Sequence, residues 1–158
     1  MSNKEEVELI EVHSNTEVEQ IFDYSAGPYL SRFLIEMKDN KKIIGVRCPK
    51  CNKVFAPPKE VCDACFLVMT EPVEVGPGGV IRNHTTLRAG FVDPETGESK
   101  PVPYMFGNVQ LDGSDSLLQN YIEADDESKI KVGARVEIQF HDKRIGSMRD
   151  IKCFKVIE

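Results

Sequence analysis

The chain has 158 residues, of which 41% are hydrophobic and 29% are charged, and its formal net charge is −6 at pH 7. This length allows one or two small globular cores, and the negative charge argues against a general nucleic-acid binder, since affinity for phosphate backbones depends on excess positive charge. No apolar stretch has the length of a membrane-spanning helix, no signal peptide is evident, and most of the cysteines stand in a pattern typical of metal binding in a reducing compartment, so we expect a cytoplasmic protein without a membrane segment.

Residues 1–42 are expected to form an acidic arm followed by helices. Seven acidic residues and one base, Lys4, lie within the first 26 residues, so this segment accounts for the whole net charge. A capping-box match at residues 16–19 predicts a short helix that ends near Phe22, and Pro28 suits the first turn of a second helix. Apolar residues recur at helical spacing in the second helix, namely Leu30, Phe33, Leu34 and Met37. We expect this apolar face to pack against the body of the protein, with contact to a partner chain as the alternative.

Residues 43–72 contain the strongest chemical signal, two C-x2-C pairs that ten residues separate: Cys48 with Cys51, and Cys62 with Cys65. A two-residue spacer lets one tight turn direct both thiolates at one point, and two such turns form a tetrahedral S4 site, which suits zinc or a single iron ion. Because a site with four protein ligands leaves no open position, we expect a structural metal. Free thiols and two disulfides are the alternatives.

The two cysteine turns are expected to differ in regularity. The residue after the second cysteine of such a turn often needs a positive φ, which Asn52 tolerates well. Phe66 stands at the matching position of the second turn, so we expect that turn to be less regular. Residues 43–47 predict a short strand that leads into the first turn, and Pro57 and Pro58 fix an extended path between the turns.

Residues 73–158 predict a small β-barrel. After the turn signal at residues 76–79 the hydrophobic period becomes two, and five short strands with turns between them are typical of a barrel. The predicted strands are Val80–Ala89, Tyr104–Leu111, Leu117–Ile122, Arg135–Phe140 and Ile151–Ile157. In the first strand we expect one face to carry Ile81, Thr85 and Leu87, and the other to carry Arg82, His84, Thr86 and Arg88.

The chain lacks a recognisable catalytic set. There is no G-x-S-x-G elbow, no P-loop and no G-x-G-x-x-G sequence. The three histidines, His13, His84 and His141, lie in different segments without metal-ligand spacing. Cys153 lies in an apolar segment and is expected to be a small buried side chain. An enzyme that works alone is therefore not expected.

Two groups of basic residues remain as candidates for a phosphate site. One group lies on a face of the first barrel strand. The other lies in the turn at residues 141–144 and just beyond it. A barrel can bring such groups to one end or face, and the planar guanidinium suits phosphate oxygens. The candidates are Arg82, Arg88, Arg144 and Arg149. Scattered, solvated surface charge is the alternative.

From about Tyr29 to Val156 the chain resembles the acyl-CoA-associated zinc-ribbon and OB-fold family, formerly a domain of unknown function. The matching segments are Gly45–Cys51, Pro57–Pro58 before Cys62 and Cys65, Thr85–Arg88, Pro103–Gly113, Val132–Val136 and Gly146–Phe154. Asn52 stands where the family usually has glycine. The resemblance implies a mainly β protein (α+β overall) with N-terminal helices, a rubredoxin-like zinc ribbon and a C-terminal five-stranded OB-fold barrel.

The resemblance also implies a function. Members of this family sit against thiolases, hydroxymethylglutaryl-CoA synthase assemblies or thiolase-like aldolases, and they are thought to help hold coenzyme A or its acyl thioester. It therefore implies a non-catalytic subunit with one structural zinc ion and a thiolase-fold catalytic partner, in a hetero-oligomer built on a thiolase dimer. Coenzyme A or acyl-CoA is the implied ligand, and the four arginines are the candidates for contacting its phosphates.

Two functions of other classes compete with this interpretation. A nucleic-acid-binding module is one, because zinc ribbons and OB folds both serve that role. The acidic balance argues against it, as does the lack of aromatic residues interleaved with basic ones. A rubredoxin-like electron carrier is the other, since iron accepts the same four thiolates as zinc.

Overall fold

The part of the chain that the structure describes forms one α-helix, a small ribbon sheet and a barrel. The computed structural model describes residues 25–90, 92, 97–99 and 101–157, and the helix predicted near residues 16–22 lies outside them. The elements are α1 (Gly27–Asn40), β1 (Ile43–Arg47), β2 (Val54–Phe55), β3 (Glu71–Val75), β4 (Gly78–Leu87), β5 (Tyr104–Leu111), β6 (Leu118–Glu123), β7 (Arg135–Phe140) and β8 (Ile151–Val156), with single 3-10 turns at Glu127–Lys129 and Met148–Asp150. The mainly β class, with a ribbon and a five-stranded barrel, is confirmed. Across the described ranges, every helix is too short or too polar to cross a lipid bilayer.

Helix α1 packs on the body of the protein through its apolar face. Pro28 lies in its first turn, where a missing backbone N–H costs nothing, and Lys41 ends it in the left-handed conformation with φ 55°. Phe33 and Met37 are fully buried and belong to the same core as the barrel strands, with Leu30 and Leu34 packed against them. The predicted docking face is therefore confirmed.

The ribbon sheet has the strand order β2-β1-β3 and is antiparallel throughout. β3 pairs with β1 along its whole length, from the pair Ile43 and Val75 to the pair Arg47 and Glu71. The strand extends across the domain boundary expected at residue 72. The turn between β5 and β6 joins the ribbon to the barrel. The carboxylate of Asp115 accepts from the N–H of Val54 at 2.8 Å, and the hydroxyl of Ser116 accepts from the N–H of Ala56 at 2.7 Å.

The barrel closes in the order β4-β5-β6-β8-β7. All five predicted strands are found, with ends within two residues of the predicted ones. Neighbours are antiparallel except β6 and β8, which pair in parallel at Ile122–Phe154 and close the barrel. Its interior is filled by large apolar side chains, among which Ile81, Val109, Val136 and Phe154 have no exposed surface.

A β-bulge at Arg82 reverses the faces of the first barrel strand. Ile81 pairs with Val109 and Asn83 pairs with Asn108, so Arg82 is an extra residue. A bulge leaves one residue unpaired and shifts the alternation of all later side chains. Thr85 is therefore exposed, whereas the hydroxyl of Thr86 lies 2.9 Å from Sδ of Met105, which packs against the core.

The expected assignment of faces was accordingly wrong beyond the bulge. His84 and Thr86 turn inward, and Thr85 and Leu87 turn outward, because the hydrophobic pattern does not show where the extra residue is inserted. Gly107 lies opposite His84. A Cβ at Gly107 would clash with the carbonyl oxygen of Asn83, so the close approach of the two strands beside the bulge requires glycine.

Candidate metal centre and barrel surface

The two cysteine turns have the same backbone geometry. In the first, the N–H of Asn52 donates to the carbonyl oxygen of Cys48 at 3.0 Å, and in the second, the N–H of Phe66 donates to that of Cys62 at 2.8 Å. The φ angles are 60° at Asn52 and 55° at Phe66. The expectation of a less regular second turn was wrong, because the shared pattern of backbone hydrogen bonds sets the turn. Phe66 adopts this disfavoured conformation, which costs roughly 1–2 kcal/mol, with its side chain 81% exposed.

The four cysteine sulfur atoms converge as the spacing predicted. All four lie within 4.8 Å of one another, and Sγ of Cys51 is 3.8 Å from Sγ of Cys62. A tetrahedral zinc ion with Zn–S bonds of about 2.3 Å places its sulfur ligands about 3.8 Å apart. The observed distance between Sγ of Cys51 and Sγ of Cys62 is too long for a disulfide, whose S–S bond is about 2.05 Å. The donor set and its spacing therefore fit zinc.

The electrostatics of the site favour a bound cation. The backbone N–H of Cys51, together with that of Lys50, lowers the pKa of Cys48 to about 6 although the thiol is buried. Burial, followed by hydrogen bonds with the thiols of Cys51 and Cys48, raises the pKa of Cys65 to about 12. Four crowded thiols cannot all ionise by themselves, and a divalent cation removes this obstacle while it displaces the protons.

The candidate arginines lie in two regions. Arg82 donates from Nε to Oε1 of Gln110 at 2.8 Å, and Arg88 is exposed just beyond the end of β4. These two residues are about 20 Å apart along an extended strand. Arg144 and Arg149 lie in the loop between β7 and β8.

Arg144 connects the β7–β8 loop to helix α1. Its Nε donates to the carbonyl oxygen of Lys38 at 2.6 Å, and its Nη1 donates to the carbonyl oxygens of His141 and Asp142, each at 3.0 Å. These bonds hold the loop against the end of the helix. Arg144 thus has a structural task in addition to the phosphate contact predicted for it.

Asp150 organises the same loop, and the sequence interpretation missed it. The residue is 2% exposed, and its carboxylate accepts from the N–H groups of Ile145 at 2.9 Å, Gly146 at 2.8 Å and Ser147 at 3.3 Å. Ser147 and Asp150 form a capping box around one 3-10 turn. The Ser-x-x-Asp spacing of Ser147 and Asp150 is a sequence signal that could have predicted this box.

Three aromatic side chains meet on the outer face of the barrel. Phe106 pairs directly with Tyr121 across β5 and β6, and their ring centroids are 5.3 Å apart at an interplanar angle of 66°. The ring of Tyr104 lies 5.5 Å from that of Tyr121 at 71°. The spacing of Tyr104 and Phe106 places both on one side of β5, but only the strand register brings Tyr121 to them.

Comparisons with known proteins match both domains. Residues 36–66 match the family model described as ChsH2, rubredoxin-like zinc ribbon domain, and residues 72–141 match ChsH2, C-terminal OB-fold domain. No curated protein matches the chain.

Two solved structures share the fold. A crystal structure of a DUF35-family protein of unknown function from Sulfolobus solfataricus has a TM-score of 0.60 and 26% identity, covering 82% of this chain and 86% of that one. A structure described as the Ltp2-ChsH2(DUF35) aldolase has a TM-score of 0.59 and 18% identity, covering 85% of this chain and 100% of that one.

The matched segments include the four cysteines and most of the barrel, and together they cover more than half of the chain. The two structures share the fold over a larger part of the chain, 82% and 85% of it. The chain therefore belongs to the DUF35 family, whose members combine a rubredoxin-like zinc ribbon with an OB-fold domain.

Proposed function

We propose that this chain is a non-catalytic, cytoplasmic accessory subunit of a thiolase-type enzyme that cleaves a 3-oxoacyl-CoA with coenzyme A. It helps the catalytic subunit to assemble and to hold coenzyme A or acyl-CoA. The observation that carries the proposal is the match of both domains to ChsH2, since ChsH2 is the DUF35 protein named together with Ltp2 in an aldolase.

The chemistry of the described residues supports a non-catalytic role. The cysteine site supplies four protein ligands and so leaves no open position for a substrate or an activated water. Cys153, the remaining cysteine, is 2% exposed in β8, whereas a nucleophilic thiol must be accessible and activated by a base. The reacting groups are therefore assigned to the partner subunit.

The resemblance of the sequence to the small subunit of benzoylsuccinyl-CoA thiolase, from anaerobic toluene degradation, suggests the acyl substrate. We accordingly take benzoylsuccinyl-CoA as the first substrate to test. A thiolase-like aldolase is the second candidate partner, because the related complex is an aldolase. The two are distinguished by their co-substrate, since thiolysis consumes free coenzyme A and aldol cleavage does not.

The metal content separates this proposal from an electron carrier. Zinc has no redox chemistry in proteins, so a zinc-loaded chain cannot carry electrons through this site. The match to a zinc ribbon domain supports zinc. Iron would give a red protein with a visible absorption band.

Assembly is the first test of the proposed function. The tagged chain is expressed together with each thiolase-fold protein that the source genome encodes nearby, and an unrelated thiolase serves as the control partner. We expect a stable hetero-oligomer with such a neighbour and none with the control, measured by size-exclusion chromatography with light scattering. Failure to bind any thiolase-fold protein encoded nearby would reject the pairing.

Alanine substitution of each candidate arginine tests the phosphate contact within that complex. Loss of one hydrogen bond to a charged group costs about 1.5–3 kcal/mol, so the KM for coenzyme A should rise by about 10- to 150-fold. Arg47, which pairs with Glu71 in the ribbon at 3.2 Å, is the matched control. If Arg82, Arg88, Arg144 and Arg149 can each be replaced without a change in the KM, the phosphate contact does not exist.

A further inference from the structure

The outer face of the central barrel strands presents a cluster of rings, which we call the aromatic platform and define as Tyr104, Phe106 and Tyr121. Met105, which lies between Tyr104 and Phe106, points inward, since it pairs with Ile122, which is buried in the core. The three rings are half-buried and contact one another edge to face. Rings in this arrangement hold each other in place while part of their surface faces solvent.

Amide side chains lie next to the platform on the same face. Asn83 and Asn108 are paired across β4 and β5, and Nδ2 of Asn108 donates to Oδ1 of Asn83 at 2.8 Å. Gln119 lies opposite Asn108 on β6 and is exposed. The mixed donors and acceptors of amides suit the edge of a nucleobase.

Two arginine residues lie near the ends of this part of β4. The bulge turns Arg82 outward, where it contacts Gln110 beyond the amides. At the other end, exposed Arg88 follows Leu87, which pairs with Tyr104. The face therefore offers apolar rings and then amides, with the guanidinium group of Arg82 beyond the amides, and Arg88 is exposed just past the end of β4.

We infer that the aromatic platform binds the adenine nucleotide end of coenzyme A, and the choice of this nucleotide rests on the proposed function. The base stacks on the rings, the amides contact its edge, and Arg82 or Arg88 contacts a phosphate. Aromatic side chains on this face of OB folds are a general means of holding bases. Single-stranded nucleic acid fits less well, because acidic and basic residues balance outside residues 1–26, so the body of the protein lacks the excess positive charge that holds a long polyanion.

Direct binding to the full chain, without a partner, tests the inference. The probes are coenzyme A, adenosine 3′,5′-bisphosphate, pantetheine and a thymidine oligonucleotide, measured by ligand-observed NMR up to millimolar concentration. Coenzyme A and the bisphosphate are expected to compete for one site, and pantetheine is expected not to bind.

Variants locate the site on the platform. Removing one stacked ring costs about 1–3 kcal/mol per base, so Phe106→Ala should raise the Kd for the bisphosphate by about 5- to 150-fold. Phe106→Leu keeps the apolar volume and should also bind more weakly, which separates lost stacking from lost folding. Phe66→Ala is the matched control, because it removes an exposed phenylalanine from the ribbon instead, and it should leave the Kd unchanged.

The inference is overturned if neither nucleotide binds, if pantetheine binds as well as coenzyme A, or if folded Phe106→Leu binds like the parent chain. Tighter binding of the oligonucleotide than of coenzyme A would assign the face to nucleic acid instead. Rejection of this inference would leave the proposed function standing, because that function is tested by assembly with a thiolase-fold protein. Conversely, nucleotide binding by a chain that assembles with no thiolase-fold protein would support the inference and reject the proposed function.

Discussion

Replacing Cys62 by serine is expected to unfold the ribbon and to make the protein much less soluble. A ribbon of this size has a small core, here Val46, Phe55 and Met69 around the buried Cys48 and Cys62. Structural zinc contributes about 10–16 kcal/mol of apparent binding free energy in small zinc domains, which is as large as the whole stability of a typical domain, about 5–15 kcal/mol. Zinc content by mass spectrometry and amide hydrogen exchange in β1 and β3 measure the effect.

Cys153→Ala is the control for this experiment, because it removes a buried cysteine outside the metal site. It should keep one zinc ion per chain and full protection of the ribbon amides. A well-folded preparation of the parent chain that contains iron, or no metal, would contradict the zinc assignment.

The second large effect is expected for Asp150→Ala. Its carboxylate accepts three backbone hydrogen bonds while almost completely buried. The substitution leaves those N–H groups without their acceptor, and each hydrogen bond to a charged group contributes about 1.5–3 kcal/mol. We expect a loosened β7–β8 loop beside α1, in which the freed N–H groups regain hydrogen bonds to water. The loss in the free energy of unfolding should therefore be smaller than the sum of the three bonds, roughly 3 kcal/mol, measured by urea denaturation.

Asp142→Ala supplies the comparison within the same loop. Asp142 is exposed, and its contact with Arg144 uses the backbone carbonyl oxygen, which alanine retains. Its stability should stay within about 0.5 kcal/mol of the parent chain, as for most surface substitutions. Equal stability of the two variants would show that the buried carboxylate does not hold the loop.

Features that depend on local spacing could be predicted from the sequence. The C-x2-C pairs predicted that the four cysteine sulfur atoms converge, because each turn is a local structure. Period-two alternation located the barrel strands, and Pro28 with the spacing of Phe33 and Met37 located the helix. Each of these signals needs only residues that are close along the chain.

Features that depend on strand register could not be predicted in the same way. The bulge at Arg82 changed the faces of β4 without any change in the hydrophobic pattern. Tyr121 joins Phe106 only because β5 and β6 pair in one particular register, so the aromatic platform was missed. The same limit applies to Asp115, which holds the ribbon from 61 residues away along the chain.

The rate of thiolysis in a reconstituted mixture tests the central claim most directly. Benzoylsuccinyl-CoA and coenzyme A are supplied to the catalytic subunit alone, to this chain alone, and to both together. We expect no thiolysis by this chain, full turnover only in the mixture, and unchanged turnover with Cys153→Ala. Thiolysis by this chain alone would contradict the claim, as would loss of all turnover with Cys153→Ala in an intact complex or full activity of the catalytic subunit without this chain.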